Sequence, residues 1–203
     1  MYTPKNFLIT DEPEAFSFMQ RYSFATLVTV ANSIPSATHL PFLVSRRGEH
    51  VILSSHFAKA NPQADELLSG NPLVIFAEPH AYISPKHYDQ VNSVPTWNYI
   101  AVHAYGIPSL IDNVEGKISL LEQTIDFYEA EYRQQWESLP SDFKLKMMNG
   151  ITGFEITVTE LQGKKKLSQN KTEAERNRIV DTLSARPDSN ENAIAEYMKG
   201  LKK

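Results

Sequence analysis

The chain has 203 residues, of which 41% are hydrophobic and 22% charged, a balance typical of a folded globular domain. Its formal charge of -4 opposes the approach of a polyanion, which argues against a general nucleic-acid-binding protein. The absence of cysteine excludes disulfides, thiolate metal ligands and cysteine nucleophiles. With no apolar run of about 20 residues and no visible signal peptide, we expect a soluble, cytoplasmic protein without a membrane partner.

The first half of the chain is predicted to contain a helix, followed by short strands and a second, short helix. Asp11, Pro13 and Glu14 form a capped helix start, and apolar residues follow at spacings of three. A short helix is predicted over 61–68, where Ser69-Gly70-Asn71-Pro72 ends it. Runs of β-branched and apolar residues predict strands at 25–30, 41–44, 50–55, 73–76 and 100–110.

The second half is predicted to combine three helices with a strand. An apolar stripe from Ile118 to Trp136 predicts one long helix from about Val114 to Leu139, ended by Pro140. Residues 153–161 alternate in polarity and predict a strand. A capping box at Thr172–Glu175 opens another helix, 186–191 is expected to be a linker, and a small amphipathic helix follows it.

Several familiar active-site patterns are missing from the sequence. No glycines have the spacing of a dinucleotide-binding loop or a P-loop, and no nucleophile elbow is present. His56, His80, His87 and His103 do not pair with carboxylates at metal-binding spacings, so we predict no metal site. No catalytic acid, base or nucleophile is identified.

Three segments are candidates for ligand binding. Around Lys59, a strand end, a cation and a helix start follow one another, which suits a phosphate monoester as well as an ordinary capped helix. Residues 79–106 are rich in aromatics and prolines. They predict either a loop that walls a planar ring, or a long loop whose aromatics fill a satellite core or a subunit interface. Residues 163–171 concentrate positive charge for nucleic acid, a cofactor phosphate or solvent.

Taken together, these segments resemble the PaiB family, the FMN-binding negative transcriptional regulators. The resemblance covers nearly the whole chain in order, and only the tail after about Pro187 is uncharacteristic. It rests on Met1-Tyr2-Thr3-Pro4, Ala37-Thr38-His39-Leu40-Pro41, residues 56–63, Pro79-His80-Ala81-Tyr82-Ile83-Ser84-Pro85, Val94-Pro95-Thr96-Trp97-Asn98-Tyr99, residues 101–106 and Lys166-Leu167-Ser168-Gln169-Asn170.

The resemblance implies a mainly β fold with peripheral helices, the antiparallel split β-barrel of pyridoxamine-phosphate-oxidase-like flavoproteins. It also implies flavin mononucleotide (FMN) as cofactor and a homodimer with FMN at the subunit interface. We expect residues 1–165 to form the split-barrel domain, and residues 166–203 to form a basic segment and helices that pack on it or extend it.

The resemblance implies a phosphate-binding group in the strand at 35–39 and a phosphate-binding lysine at Lys59, and we predict the rest of the FMN site around them. The phosphate is expected near Thr38, His39, Lys59 and Asn61, with help from Lys166, Ser168 and Gln169 of either subunit. The ring is expected against Tyr82, Ser84, Trp97 and Asn98. The sequence departs from the family at Ala64, where tryptophan is usual, near His87, where the family carries another aromatic, and at Lys171, where arginine is more common.

The leading functional hypothesis is an FMN-binding regulator whose flavin senses redox state or metabolites. One alternative is a split-barrel flavin-dependent oxidoreductase, in which the ring carries the chemistry. A second alternative is a flavin-free dimeric interaction module. Because no helix-turn-helix with a basic face is found, we expect any DNA association to be weak or indirect and carried by Lys164, Lys165 and Lys166.

Overall fold

The computed structural model describes residues 1–201, which contain nine strands and seven α-helices. The strands are β1 Leu8–Ile9, β2 Phe24–Ala31, β3 Ile34–Pro41, β4 Leu43–Arg47, β5 His50–Ala58, β6 Leu73–Phe76, β7 His80–Ile83, β8 Thr96–Ile111 and β9 Ile151–Lys166. The helices are α1 Glu12–Arg21, α2 Gln63–Glu66, α3 Val114–Tyr128, α4 Arg133–Ser138, α5 Ser141–Asn149, α6 Glu173–Ser184 and α7 Ser189–Lys199.

The strands form one sheet in the order β3-β2-β6-β8-β9-β5-β4, with β1 added beside β9 and β7 beside β8. The pairs β1–β9, β2–β3, β2–β6, β4–β5, β5–β9 and β7–β8 are all antiparallel. This confirms the predicted antiparallel sheet with peripheral helices. Most of its strands carry the β-branched and aromatic residues that suit a pleated surface.

The chain folds into two compact units. The first unit comprises Met1–Ala15, Ala77–Val102 and the chain from Gln162 onward, and the second comprises Phe16–Phe76 and His103–Leu161. In the first unit Ile83, Ile100, Leu167 and the inward faces of α6 and α7 form the core.

Aromatic side chains dominate the core of the second unit. Phe154 of β9 is fully buried, and its ring stacks on Phe57 with centroids 4.8 Å apart. Phe42 meets the edge of Phe154 at 6.1 Å and that of Phe76 at 6.0 Å. Pairs of this kind stabilise a core beyond the area that they bury.

The predicted single helix over 114–139 is wrong. α3 ends at Tyr128, Glu129 leaves helical geometry with φ -156° and ψ 71°, and a 3₁₀ turn leads into α4. Arg133 of α4 forms ion pairs with Glu122 and Asp126, and the Trp136 indole donates to Glu122 at 3.1 Å. A straight helix would hold residues 122 and 136 about 21 Å apart, so these contacts need the break.

Two further boundaries differ from the sequence-based expectation. The aromatic segment predicted as a loop is largely a hairpin, because β7 pairs with the start of β8, where Tyr82 lies opposite Trp97. The predicted strand over 153–161 extends to Lys166 and pairs with β1. Gly163 permits that pairing, since a Cβ atom there would lie 2.7 Å from the Cβ of Ile9.

The predicted capping box at the start of α6 is present, and its glutamate also accepts a hydrogen bond from outside the helix. The Thr172 hydroxyl accepts from the Glu175 amide, and the Glu175 carboxylate accepts from the Thr172 amide at 2.9 Å. The same carboxylate accepts from the Asp89 amide at 3.0 Å. The hydrogen bond from the Asp89 backbone, followed by that from Thr172, holds the pKa of Glu175 below its usual value.

We therefore expect Glu175 to contribute to acid sensitivity. A depressed pKa in the folded state stabilises the protein above the ordinary glutamate pKa of about 4.3, and this stability disappears as the pH falls through the folded value. Urea unfolding between pH 7 and pH 3 should show a shallower loss of stability for Glu175→Gln than for the unaltered chain. Parallel pH profiles would contradict this assignment.

Candidate functional site

Thr38 and Asn61 meet in the second unit. Asn61 Nδ2 donates to Thr38 Oγ1 at 3.1 Å, and Asn61 Oδ1 accepts from the Gln63 amide at 3.0 Å. Because a backbone N–H can only donate, the second bond fixes which way the Asn61 amide points. Thr38 Oγ1 therefore accepts from Asn61 and keeps its own proton for another acceptor.

Lys59 lies two residues before Asn61, in the turn that follows β5. Its backbone N–H donates to Gly150 at 2.8 Å, while its exposed ammonium forms no hydrogen bond or ion pair with any residue between 1 and 201. His39 follows Thr38 in β3, so its side chain lies on the opposite face of the strand, where Nδ1 is 2.9 Å from Thr26 Oγ1. The structure thus brings Thr38 and Asn61 together but directs His39 away from them.

Gln63 stabilises the region around Thr38 and Asn61, a role that the sequence analysis did not predict. Its buried Nε2 lies 3.0–3.2 Å from three acceptors, which share its two protons: the Leu27 carbonyl, Thr29 Oγ1 and the Ser36 carbonyl. These bonds tie the start of α2 to the β2–β3 hairpin that carries Thr38. Its buried Oε1 has no hydrogen-bond partner among the described residues. The sequence feature that could have indicated this role is the position of Gln63 directly after Asn61-Pro62, shortly after the end of β5.

In the first unit, the β7–β8 hairpin presents an aromatic surface. Trp97 is 51% exposed and Tyr82 46% exposed, and their rings meet edge to face at 6.0 Å. His80 packs against the same indole at 5.5 Å. Ser84 has a local role instead, because its hydroxyl accepts from the Lys86 amide at the start of a 3₁₀ turn.

Asn98 and Ser168 form a buried pair in the first unit. Ser168 Oγ donates to Asn98 Oδ1 at 3.1 Å, and Asn98 Nδ2 donates to Met198 Sδ at 3.5 Å. Asn98 is fully buried, so both ends of its amide are engaged inside the protein. Ser168 has a left-handed backbone with φ 59°, which is uncommon for a residue other than glycine.

A cavity of about 450 Å³ lies beside this pair, within the range of small-molecule sites. Lys166, Lys171, Thr96, Ser168 and Tyr88 are among its lining residues. The Lys166 ammonium donates to Thr96 Oγ1, and that of Lys171 lies 3.6 Å from the centre of the Tyr88 ring. Partial burial of Lys166 lowers the pKa of its ammonium.

The side chain of Gln169 forms hydrogen bonds to the backbone of its own turn. Its Oε1 accepts from the Leu167 amide at 2.7 Å, and its Nε2 donates to the Lys165 carbonyl at 2.5 Å. Both polar groups of this side chain thus stabilise the segment that carries Lys166 and Ser168. Gln169 is therefore a structural residue of this turn.

The basic segment is not a free charged surface. Lys164 is buried, donates to the Tyr2 carbonyl at 3.1 Å and lies 5.1 Å from the centre of the Tyr99 ring. Lys165 forms an ion pair with Glu14. Together with the Lys166 contact, each of the three lysines has a partner within the first unit.

Two further features of the described residues bear on the site. Among residues 1–201, no group of three or more histidines and carboxylates is arranged to hold a metal ion. None of the described helices has the length and apolar character needed to cross a membrane.

Comparison with known proteins identifies the family. A family model described as "Putative FMN-binding domain" matches residues 1–160. The chain belongs to this family. The protease synthase and sporulation protein PAI 2 of Bacillus subtilis (strain 168) is 37% identical over 205 residues, which cover 98% of this chain and 97% of that protein. The chain is thus an FMN-binding protein of the PaiB type.

Solved structures share the fold of this PaiB-type chain. The flavocytochrome Anf3 from Azotobacter vinelandii superposes with a TM-score of 0.63 at 16% identity, covering 79% of this chain and 69% of that one. An FAD- and heme-binding protein from Mycobacterium smegmatis gives 0.61 at 14% identity, with coverages of 78% and 73%. At these identities the likeness establishes the fold.

Proposed function

We propose that this PaiB-type protein is a homodimeric negative transcriptional regulator that binds FMN through the residues described above. The proposal is supported by its resemblance to the FMN-binding negative regulators and by its similarity to a protein named for protease synthesis and sporulation. When bound, FMN supplies redox chemistry, and the protein supplies binding and orientation. Regulation through Lys164, Lys165 and Lys166 is disfavoured because all three have internal partners.

The observation that supports FMN binding in the second unit is the ammonium of Lys59, which has no partner among residues 1–201, on a residue two positions before Asn61 and its hydrogen bond to Thr38. A phosphate monoester carries close to two negative charges at neutral pH and only accepts hydrogen bonds. Lys59 supplies a cation and Thr38 a free hydroxyl proton, so this donor set fits a phosphate. In the first unit, the isoalloxazine ring is proposed to lie at the cavity that Ser168 lines. Trp97 and its cross-strand neighbour Tyr82 lie on the opposite face of the β7–β8 hairpin from Thr96 and do not line that cavity.

Replacing Lys59 with methionine is expected to weaken FMN binding about tenfold to a hundredfold. A charge-assisted hydrogen bond contributes roughly 1.5–3 kcal/mol, which corresponds to that range of affinity. Riboflavin, which has no phosphate, should bind the unaltered chain and Lys59→Met equally well. Both ligands are followed by quenching of flavin fluorescence.

Lys146→Met is the matched control, because it removes one exposed lysine from α5 of the same unit. Its FMN affinity should equal that of the unaltered chain. Equal FMN affinity for Lys59→Met would remove Lys59 from the site. Rapid oxidation of reduced nicotinamide by the FMN-loaded protein would favour the oxidoreductase alternative.

The homodimer is proposed to form through the exposed face of β2 and β3. Phe24, Val28 and Val30 alternate along β2, and Phe24 and Val30 are 69% and 58% exposed. Pro35 and Ala37 lie directly opposite Val30 and Val28 on β3, so the same face continues across the hairpin. The stripe expected at 118–136 is a poorer candidate, because its Trp136 is buried within the second unit.

A further inference from the structure

Ser168 lines the 450 Å³ cavity, and its hydroxyl proton is already engaged in a hydrogen bond within the protein. The proton points to Asn98 Oδ1, 3.1 Å away, and that oxygen can only accept. The amide of Asn98 does not gain by rotating, because its Nδ2 donates to the thioether of Met198. A rotated amide would place oxygen against sulfur, two acceptors with no proton between them.

The backbone around Ser168 is held as firmly as its side chain. Its left-handed conformation is closed by a hydrogen bond from the Lys171 amide to the Ser168 carbonyl at 3.0 Å. Leu167 beside it is fully buried, and the Gln169 side chain binds the backbone of Lys165 and Leu167, directly before Ser168. Uncommon backbone conformations that the surroundings fix in this way cluster at ligand sites.

Ser168 and Thr38 therefore have opposite hydrogen-bonding roles. Thr38 accepts from an amide and can donate to a ligand, whereas Ser168 donates to an amide and offers a ligand only lone pairs. A phosphate dianion has no proton to give, so Ser168 is a poor phosphate contact. Lys166, which also lines the cavity, has an ammonium that donates and would suit a carbonyl oxygen.

We propose that Ser168 and Lys166 recognise the edge of a ring that carries an N–H beside a carbonyl, namely the N3–H and C2 carbonyl of the isoalloxazine. This inference rests on the proposed FMN binding. Ser168 would accept from N3–H and Lys166 would donate to the C2 oxygen. Asn98 is a positioning residue, because it touches Ser168 and is not among the lining residues of the cavity.

The test compares FMN with N3-methyl-FMN, which lacks the N3 proton. The unaltered chain should bind N3-methyl-FMN about tenfold more weakly than FMN, the typical loss when one hydrogen-bonding group is left unpaired. Ser168→Gly suits the left-handed backbone and should fold well, and it should bind the two flavins with similar affinities. Ser109→Ala, which removes an exposed hydroxyl from β8, should discriminate as the unaltered chain does.

A spectroscopic measurement separates the hydrogen bond from the bulk of the methyl group. With ¹⁵N-labelled FMN, the N3–H signal should be protected from solvent exchange in the unaltered chain and exchange rapidly in Ser168→Gly. Asn98→Leu should show the same loss of protection, because it frees the Ser168 proton. Equal binding of both flavins by the unaltered chain, or an unprotected N3–H, would overturn this inference and leave the Lys59 result standing. A failure to bind any flavin would overturn the proposed function as well.

Discussion

Replacing Phe154 with alanine is expected to lower the free energy of unfolding by about 3–5 kcal/mol. Its ring is fully buried between Phe57 and Phe42, so truncation removes apolar contacts and leaves a cavity that strands on both sides keep open. Since domains of this kind have a total stability of about 5–15 kcal/mol, the loss is a large fraction. Urea unfolding at pH 7 and 25 °C measures it.

Phe143→Ala provides the control for that measurement. Phe143 lies on α5 and is 44% exposed, so the same truncation there should lower the stability by less than about 1 kcal/mol. Similar losses at the two positions would show that the aromatic cluster around Phe154 is not the centre of the core.

Replacing Val30 with aspartate is expected to convert the proposed dimer into a monomer at micromolar concentration. An isologous interface contains each substituted position twice, so two carboxylates would be buried against apolar partners. The resulting cost of roughly 3 kcal/mol or more weakens association by about a hundredfold or more. Sedimentation velocity over a range of protein concentrations measures the shift.

Val91→Asp is the matched control, because Val91 is 96% exposed and lies in the first unit, away from β2 and β3 in sequence. It should leave association unchanged. A monomeric unaltered chain at these concentrations would contradict the homodimer, and a dimeric Val30→Asp would place the interface on another face. Circular dichroism confirms folding, which an exposed position such as Val30 should not affect.

The strands were the most predictable part of the fold. Residues 25–30 and 73–76 are β-branched and apolar, and the sheet includes both runs within β2 and β6. Local pattern is enough in such cases because the side chains that favour a strand also fill its buried face.

The sequence-based predictions of secondary structure failed where contacts between residues far apart in the chain override the local pattern. The break at Glu129 follows from contacts that Arg133 and Trp136 make with Glu122, and helical periodicity carries no information about them. α5 was not predicted at all, and the beginning of β8 was assigned to a loop because of the prolines that precede it. In each case, tertiary packing decided between local alternatives.

The site residues divide in the same way. Thr38 and Asn61 were expected together, and the structure joins them by a hydrogen bond. The opposite orientation of His39 follows from strand geometry, which the motif alone did not use. The contact of Asn98 with Met198 joins residues 100 positions apart, and no spacing rule could indicate it. Sequence motifs thus selected candidate residues, whereas the direction of each hydrogen bond required the structure.

The central claim is that this PaiB-type chain binds FMN through its phosphate and its ring, and one titration tests it most directly. Purified protein is freed of flavin and titrated with FMN, while absorbance and fluorescence are recorded. The account predicts saturable binding of one FMN per chain, a shifted flavin spectrum and tighter binding of FMN than of riboflavin. No saturation, or equal affinity for the two flavins, would contradict it.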